Sequence, residues 1–139
     1  MRIVDEIKIG VNDASLTPEE ALELVEQVGW KGYTADHFRR ALPRTQLVVT
    51  ARAGGRLVGM ARAFGDGAVY AAIVDVVVRP GFQKCGIGTR MMDLLMAELK
   101  ALDLHRIYLR AAPGTLEWYE RFGFKAAYGG TVGMSYLGW

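Results

Sequence analysis

Val76-Val77-Val78-Arg79-Pro80-Gly81-Phe82-Gln83-Lys84-Cys85-Gly86-Ile87-Gly88-Thr89-Arg90 runs from an apolar strand through a glycine-punctuated turn straight into an apolar-periodic helix over residues 91–99. A turn built this way suits an anion. Gly86 and Gly88 remove side chains where a ligand must approach the backbone, and the helix behind them offers unpaired amides and the positive end of its dipole. Lys84 and Arg90 add mobile positive charge. Two common phosphate loops fail on single residues. A Walker loop needs Lys-Ser/Thr after its second glycine, but Ile87 follows Gly86; a dinucleotide fingerprint needs a third glycine where Met91 stands. What remains is the pattern Gln83-x-x-Gly86-x-Gly88.

Working outward, three strands precede the loop, over residues 46–53, 57–64 and 68–78. The turns Gly54-Gly55 and Gly65-Asp66-Gly67 join them into an antiparallel meander. Before the meander lie a first strand within residues 3–11 and two capped helices. Thr17-Pro18-Glu19-Glu20 supplies a cap, a proline at the first helical position and a capping-box acid; Thr34 caps the second helix, which carries Phe38 and Leu42 and stops at Pro43. After the loop, Met91, Met92, Leu94, Leu95, Met96, Leu99 and Leu102 give an apolar face too broad for a surface helix, so this helix is expected to be central and buried. A strand over residues 106–111, a helix over 113–121 and a hairpin from 124–128 and 131–136 about Gly129-Gly130 complete the order. The order predicts an α+β fold, a twisted mixed sheet of six to seven strands with about four helices.

Composition bounds the rest. With 139 residues, 51% hydrophobic, the chain is expected to form one domain, residues 1–139, with a core that needs no disulfide. Cys85 is the single cysteine, and the charged start lacks the apolar run of a secretory signal, so the expected compartment is the cytoplasm. No stretch approaches a membrane span, and a formal charge of +2 with dispersed basic residues argues against nucleic acid. His37 and His105 have no second ligand at metal spacing, so no metal is expected.

A second motif, Trp118-Tyr119-Glu120-Arg121-Phe122-Gly123-Phe124, lies downstream. With the Gln83 loop it resembles the GCN5-related N-acetyltransferase (GNAT) family, whose pyrophosphate loop and Phe-Tyr-x-x-x-Gly-Phe signature these two stretches match. Val74-Asp75-Val76-Val77-Val78, Gln83, Tyr119 and Gly133-Met134-Ser135-Tyr136 resemble the branch containing plant chloroplast serotonin N-acetyltransferases and small bacterial relatives. The resemblance implies an acyltransferase using acetyl-CoA, with the strand ending at Val78 splayed from the next to admit the pantetheine arm. It implies that backbone groups of Val76, Val77 and Val78 hold pantetheine and the acetyl oxygen. Gln83, Lys84, Cys85, Gly86, Ile87, Gly88, Thr89 and Arg90 would hold the phosphates, Cys85 through its backbone. Pro113 departs from the family, standing where many relatives have an asparagine on the pantetheine.

Acetyl transfer to an amine needs a neutral nitrogen, a polarised carbonyl and a proton for the leaving thiolate. Tyr119 matches the family's general acid, and also reads as a helix-to-core aromatic. Asp75 is the candidate base in an apolar strand, or else it caps a bulge. Trp30, Tyr33 and Phe38 either border the acceptor side of the cleft or pack as core; Asp36 is either an anion for the amine or a first-turn helix acid. The expected reaction is acetyl transfer to a small primary amine by direct attack in a ternary complex. Its alternatives are a protein or peptide amine as acceptor and a non-catalytic acyl-CoA-binding module. A homodimer is compatible with all three.

Overall fold

The computed structural model describes residues 6–138, so the opening of the first expected strand, residues 3–5, lies outside the described residues. The chain divides into two compact units, residues 1–108 and 109–139.

In the first unit, β1 (Ile7–Val11), β2 (Leu47–Ala53), β3 (Arg56–Gly65) and β4 (Tyr70–Val78) pair antiparallel in sequence order. Between β1 and β2 come α1 (Pro18–Gln27) and α2 (Ala35–Ala41), the latter followed by a 3-10 turn at Leu42–Arg44. Both helices start as their sequences predict. Thr17 and Glu20 exchange reciprocal capping bonds, and Thr34 and His37 do the same, which gives His37 a structural task. After β4 comes α3 (Ile87–Lys100), then β5 (Arg106–Leu109), which lies next to β4 and straddles the boundary between the units.

Alternation along the strands divides the core between the two faces of the sheet. Met60, Val77 and Val48 cluster with Ala21, Leu24, Val25 and Phe38 of α1 and α2. Ala51 and Gly59 face α3, where a Cβ on Gly59 would sit 2.9 Å from the Met91 sulfur. α3 buries Ile87, Met91, Met92, Leu95, Met96 and Leu99, as its broad apolar face predicts, while Leu102 beyond its end is exposed. Arg79, 4% exposed at the end of β4, ties the sheet to α1. Its guanidinium donates to both Glu23 oxygens at 2.6 and 2.8 Å and to the Leu57 carbonyl.

A second clamp joins β2 to α1 and the segment before it. Arg52 donates to Asp13 and Glu20, each at 2.7 Å. Partial burial works against the Asp13 charge, but hydrogen bonds from Ser15 and Arg52 hold its carboxyl far below the ordinary range. Glu20 is lowered first by its hydrogen bond from Arg52. Groups depressed in the folded state stabilise it above their ordinary values of 3.8 and 4.5, and that stability is lost as pH falls through the depressed values. Arg52→Gln should therefore lower the melting temperature at pH 7, and the gap from wild type should narrow as pH falls below about 4. Thermal melts from pH 7 to pH 2 check this; a constant gap would contradict it.

Among the described residues the sheet has five strands with four α-helices, not the expected six to seven strands. The difference lies in the second unit. There α4 (Leu116–Glu120) is shorter than residues 113–121, because Gly114, at φ +83°, cannot sit in a helix. The expected hairpin over 124–128 and 131–136 does not form; a 3-10 turn at Tyr128–Gly130 and irregular chain take its place. Val132 and Met134 are 79% and 91% exposed, so the alternation that suggested a strand has no core to bury against. Strand propensity is mostly such burial, and an isolated hairpin is marginal in water.

Candidate active site

The loop between β4 and α3 is closed by its own hydrogen bonds. Phe82 N–H donates to the Arg79 carbonyl at 2.9 Å, Gln83 Nε2 to the Val78 carbonyl at 2.8 Å, and the Cys85 thiol to the Gln83 carbonyl at 3.3 Å. Lys84 and Gly86 both take positive φ, +62° and +86°. Gly86 is the N-cap of α3, and unlike Thr17 and Thr34 it offers no side chain to the first-turn amides. No acid occupies that turn. A 14-residue helix thus begins with no side-chain cap hydrogen bond and no first-turn acid, behind a glycine whose Cβ direction meets nothing within 4 Å. This fits a phosphate group. The Ile87 side chain is buried in the core, leaving only its backbone to the loop, and Arg90 reaches the Ile7 carbonyl of β1 at 3.4 Å.

β4 presents polar backbone beside this loop. Arg79 N–H donates to the Val58 carbonyl of β3, so by the antiparallel alternation Val77 also faces β3, and Val76 and Val78 turn their N–H groups away from it. On that far edge β5 begins beside Val69, whose carbonyl accepts from His105 and Arg106, so the four residues of β5 stop short of Val76. The register Met60↔Val77 and Arg62↔Val74 leaves Asp75 and Val76 opposite Ala61 alone. This is a β-bulge on β4, and Asp75 is the residue that bends, at φ +53°.

The bulge places Asp75 in company that its neighbours in sequence do not supply. It is 8% exposed; Oδ1 accepts from the Tyr33 hydroxyl at 2.6 Å, and Oδ2 accepts from Arg62 Nε at 2.8 Å and lies 2.7 Å from Arg62 Nη2 in an ion pair. Arg62 also donates to Thr45 Oγ1 at 2.8 Å and lies 5.7 Å from the centre of the Phe38 ring. The expected apolar environment of Asp75 is therefore corrected to an ion pair with a tyrosine on its other oxygen. Burial first, and then the bond to Asp75, raise the Tyr33 phenol well above its ordinary value, so Tyr33 stays protonated as a donor.

Trp30, Tyr33 and Phe38 form a stack, with ring centres 6.3 Å apart for the first pair and 5.4 Å for the second. Trp30 packs against the core cluster and Phe38 belongs to it, whereas Tyr33 and Phe38 also wall a cavity of about 260 Å³ with Ala41, Lys31, His37 and Arg62. Asp36 points elsewhere, paired with Arg39 and Arg40 at 3.1 and 2.9 Å. Sequence reasoning missed Arg62 and Thr45. The available signal was an arginine in the middle of the apolar run Val58-Gly59-Met60-Ala61-Arg62-Ala63.

In the second unit, Tyr119 sits among Trp118 and Phe124, at ring distances of 4.8 and 6.3 Å. Burial alone raises its phenol, which keeps it a protonated donor.

Comparison with known proteins takes in both units. The acetyltransferase (GNAT) family model matches residues 15–124. The chain is 31% identical over 127 residues to the uncharacterized N-acetyltransferase ycf52 of Porphyra purpurea, covering 88% of this chain and 73% of that protein. It is 35% identical over 106 residues to the chloroplastic serotonin N-acetyltransferase 2 of Oryza sativa subsp. japonica, covering 73% of this chain and 53% of that longer protein. Among solved structures, a probable acetyltransferase of Staphylococcus aureus superposes with a TM-score of 0.86 at 26% identity, over 94% of this chain and 98% of its own. The matched span includes the bulged strand, the uncapped helix start and the Tyr119 motif alike, and the chain accordingly belongs to the GNAT family of N-acetyltransferases.

Proposed function

We propose that this N-acetyltransferase transfers an acetyl group from acetyl-CoA to the primary amine of a small molecule, by direct attack in a ternary complex. The observation that carries this reading is the loop into α3, where a helix start lacking any side-chain cap meets a left-handed, sterically open Gly86. In this reading the first-turn amides, the loop backbone from Gln83 to Thr89 and Lys84 hold the pyrophosphate, and the Val76 and Val78 amides hold the pantetheine and polarise the acetyl carbonyl. Acetyl-CoA supplies the acetyl group and departs as the free thiol. The acceptor's neutral nitrogen forms the new C–N bond as the C–S bond breaks; Tyr119 gives its proton to the sulfur and is reprotonated from solvent. The proton shed by the nitrogen passes to water.

Asp75 is then a positioning residue. Both its oxygens are occupied by Arg62 and Tyr33, so it orients the cavity wall instead of collecting a proton. The cavity of about 260 Å³, walled by Tyr33 and Phe38, has room for the body of a small acceptor. Continuous measurement of thiol release from acetyl-CoA against aryl amines, polyamines, amino acids and peptides tests the reading; activity confined to peptides would overturn the small-molecule acceptor. In the same assay Asp75→Asn should raise the acceptor KM and keep the pH dependence of kcat/KM, whereas loss of its acidic limb would make Asp75 the base.

A further inference from the structure

The cavity beside the bulge has a charge pattern of its own. Its lining carries two cationic side chains, Lys31 from the segment between α1 and α2 and Arg62 from β3, with His37 from α2, and no carboxylate. Two carboxylates tied to these elements, Asp75 and Asp36, are committed to other partners. Asp75 lies behind the wall with its oxygens taken by Tyr33 and Arg62, and Asp36 is exposed and paired with Arg39 and Arg40. A guanidinium has five N–H donors; on Arg62 one bonds Asp75 and one bonds Thr45, and Nη2 lies in the ion pair with Asp75. The remaining walls, Tyr33, Phe38 and Ala41, are an apolar and aromatic surface.

An acceptor that brought only an ammonium group and a hydrocarbon body would meet Lys31 and a guanidinium already paired with Asp75, and no carboxylate in the lining to bind it. An anion would meet Lys31 and a guanidinium that the Asp75 bond holds in place. We propose that this cavity is an anion subsite and that the acceptor is a small amine bearing a carboxylate and an apolar or aromatic body, as in an amino acid. The proposal rests on the acetyl-transfer reading for the acceptor's role, though the cavity's preference for an anion does not. It sets aside polyamines, whose several cations the lining would repel. The body packs on Tyr33 and Phe38, and its carboxylate is held by Lys31 and by N–H groups of Arg62 that Asp75 and Thr45 leave unused. A tenfold preference corresponds to about 1.4 kcal/mol, within the range that two unit charges held close together at a protein surface supply.

The test uses molecules that differ only in the group at issue. With acetyl-CoA saturating and rates corrected to the neutral amine, phenylalanine should exceed 2-phenylethylamine in kcat/KM by about tenfold or more, and Lys31→Gln should bring that ratio towards one. Lys31 is exposed, so this variant should fold as wild type does. A second arm needs no chemistry: calorimetric titration with 3-phenylpropionate and with 2-phenylethylamine, in wild type and Lys31→Gln. The carboxylate should bind more tightly, and Lys31→Gln should weaken it. Equal or reversed affinities, or a ratio that Lys31→Gln leaves unchanged, would overturn the subsite. If no amine is acetylated, acetyl transfer to a small molecule fails, and the titration still decides the subsite alone.

Discussion

Gly86→Val is expected to abolish measurable acetyl-CoA binding and to reduce kcat/KM by at least a hundredfold, while the far-ultraviolet circular dichroism stays that of wild type. Two effects combine. Gly86 sits at φ +86°, a conformation that costs a β-branched residue on the order of 1–3 kcal/mol, and any side chain there projects into the space the phosphate is proposed to fill. The protein itself does not forbid a side chain, since a Cβ meets nothing within 4 Å. Gly86→Asn separates the two effects, because asparagine tolerates left-handed backbone. It should melt close to wild type and still bind acetyl-CoA far more weakly. If Gly86→Asn binds acetyl-CoA normally by calorimetry, the helix start is not the phosphate site.

Tyr119→Phe should reduce kcat by about a hundredfold, the lower end of what a positioned acid contributes, with the affinity for acetyl-CoA within about twofold of wild type. The substitution removes one oxygen and leaves the ring against Trp118 and Phe124, so the fold of the second unit should persist. The pH profile carries the sign. Burial raises the Tyr119 phenol above its ordinary value of 10.0, so its proton is present throughout neutral and moderately alkaline pH. Wild-type kcat should therefore not fall between pH 7 and about 9 through loss of this proton. A Phe variant with undiminished turnover would assign the proton to another donor.

The two predictions rest on features of very different legibility. The Gly86 loop is readable because its physics is local. Glycines that take positive φ, a strand feeding a helix and the omission of a capping residue all lie within one short stretch, as do the Thr17 and Thr34 caps that make the omission at Gly86 informative. The buried face of α3 is readable for the same reason, since helical spacing is a property of consecutive residues. The final hairpin was not readable. Alternation over 131–136 signals a strand only where a core lies on one side, and Val132 and Met134 have none.

Asp75 marks the boundary between the two kinds of information. From its neighbours it is an acid in a valine-rich strand; in the fold it is the bent residue of a bulge, paired with Arg62 thirteen positions earlier and Tyr33 forty-two positions earlier. The amino-acid sequence by itself determined the loop proposed to hold the donor, because its backbone conformation is dictated by neighbouring residues. Only the tertiary structure decided the charge pattern of the cavity proposed for the acceptor. Which charges face the cavity depends on how the β3–β4 register and the segment between α1 and α2 bring Lys31, Tyr33, Arg62 and Asp75 together, and no local rule sets that pairing.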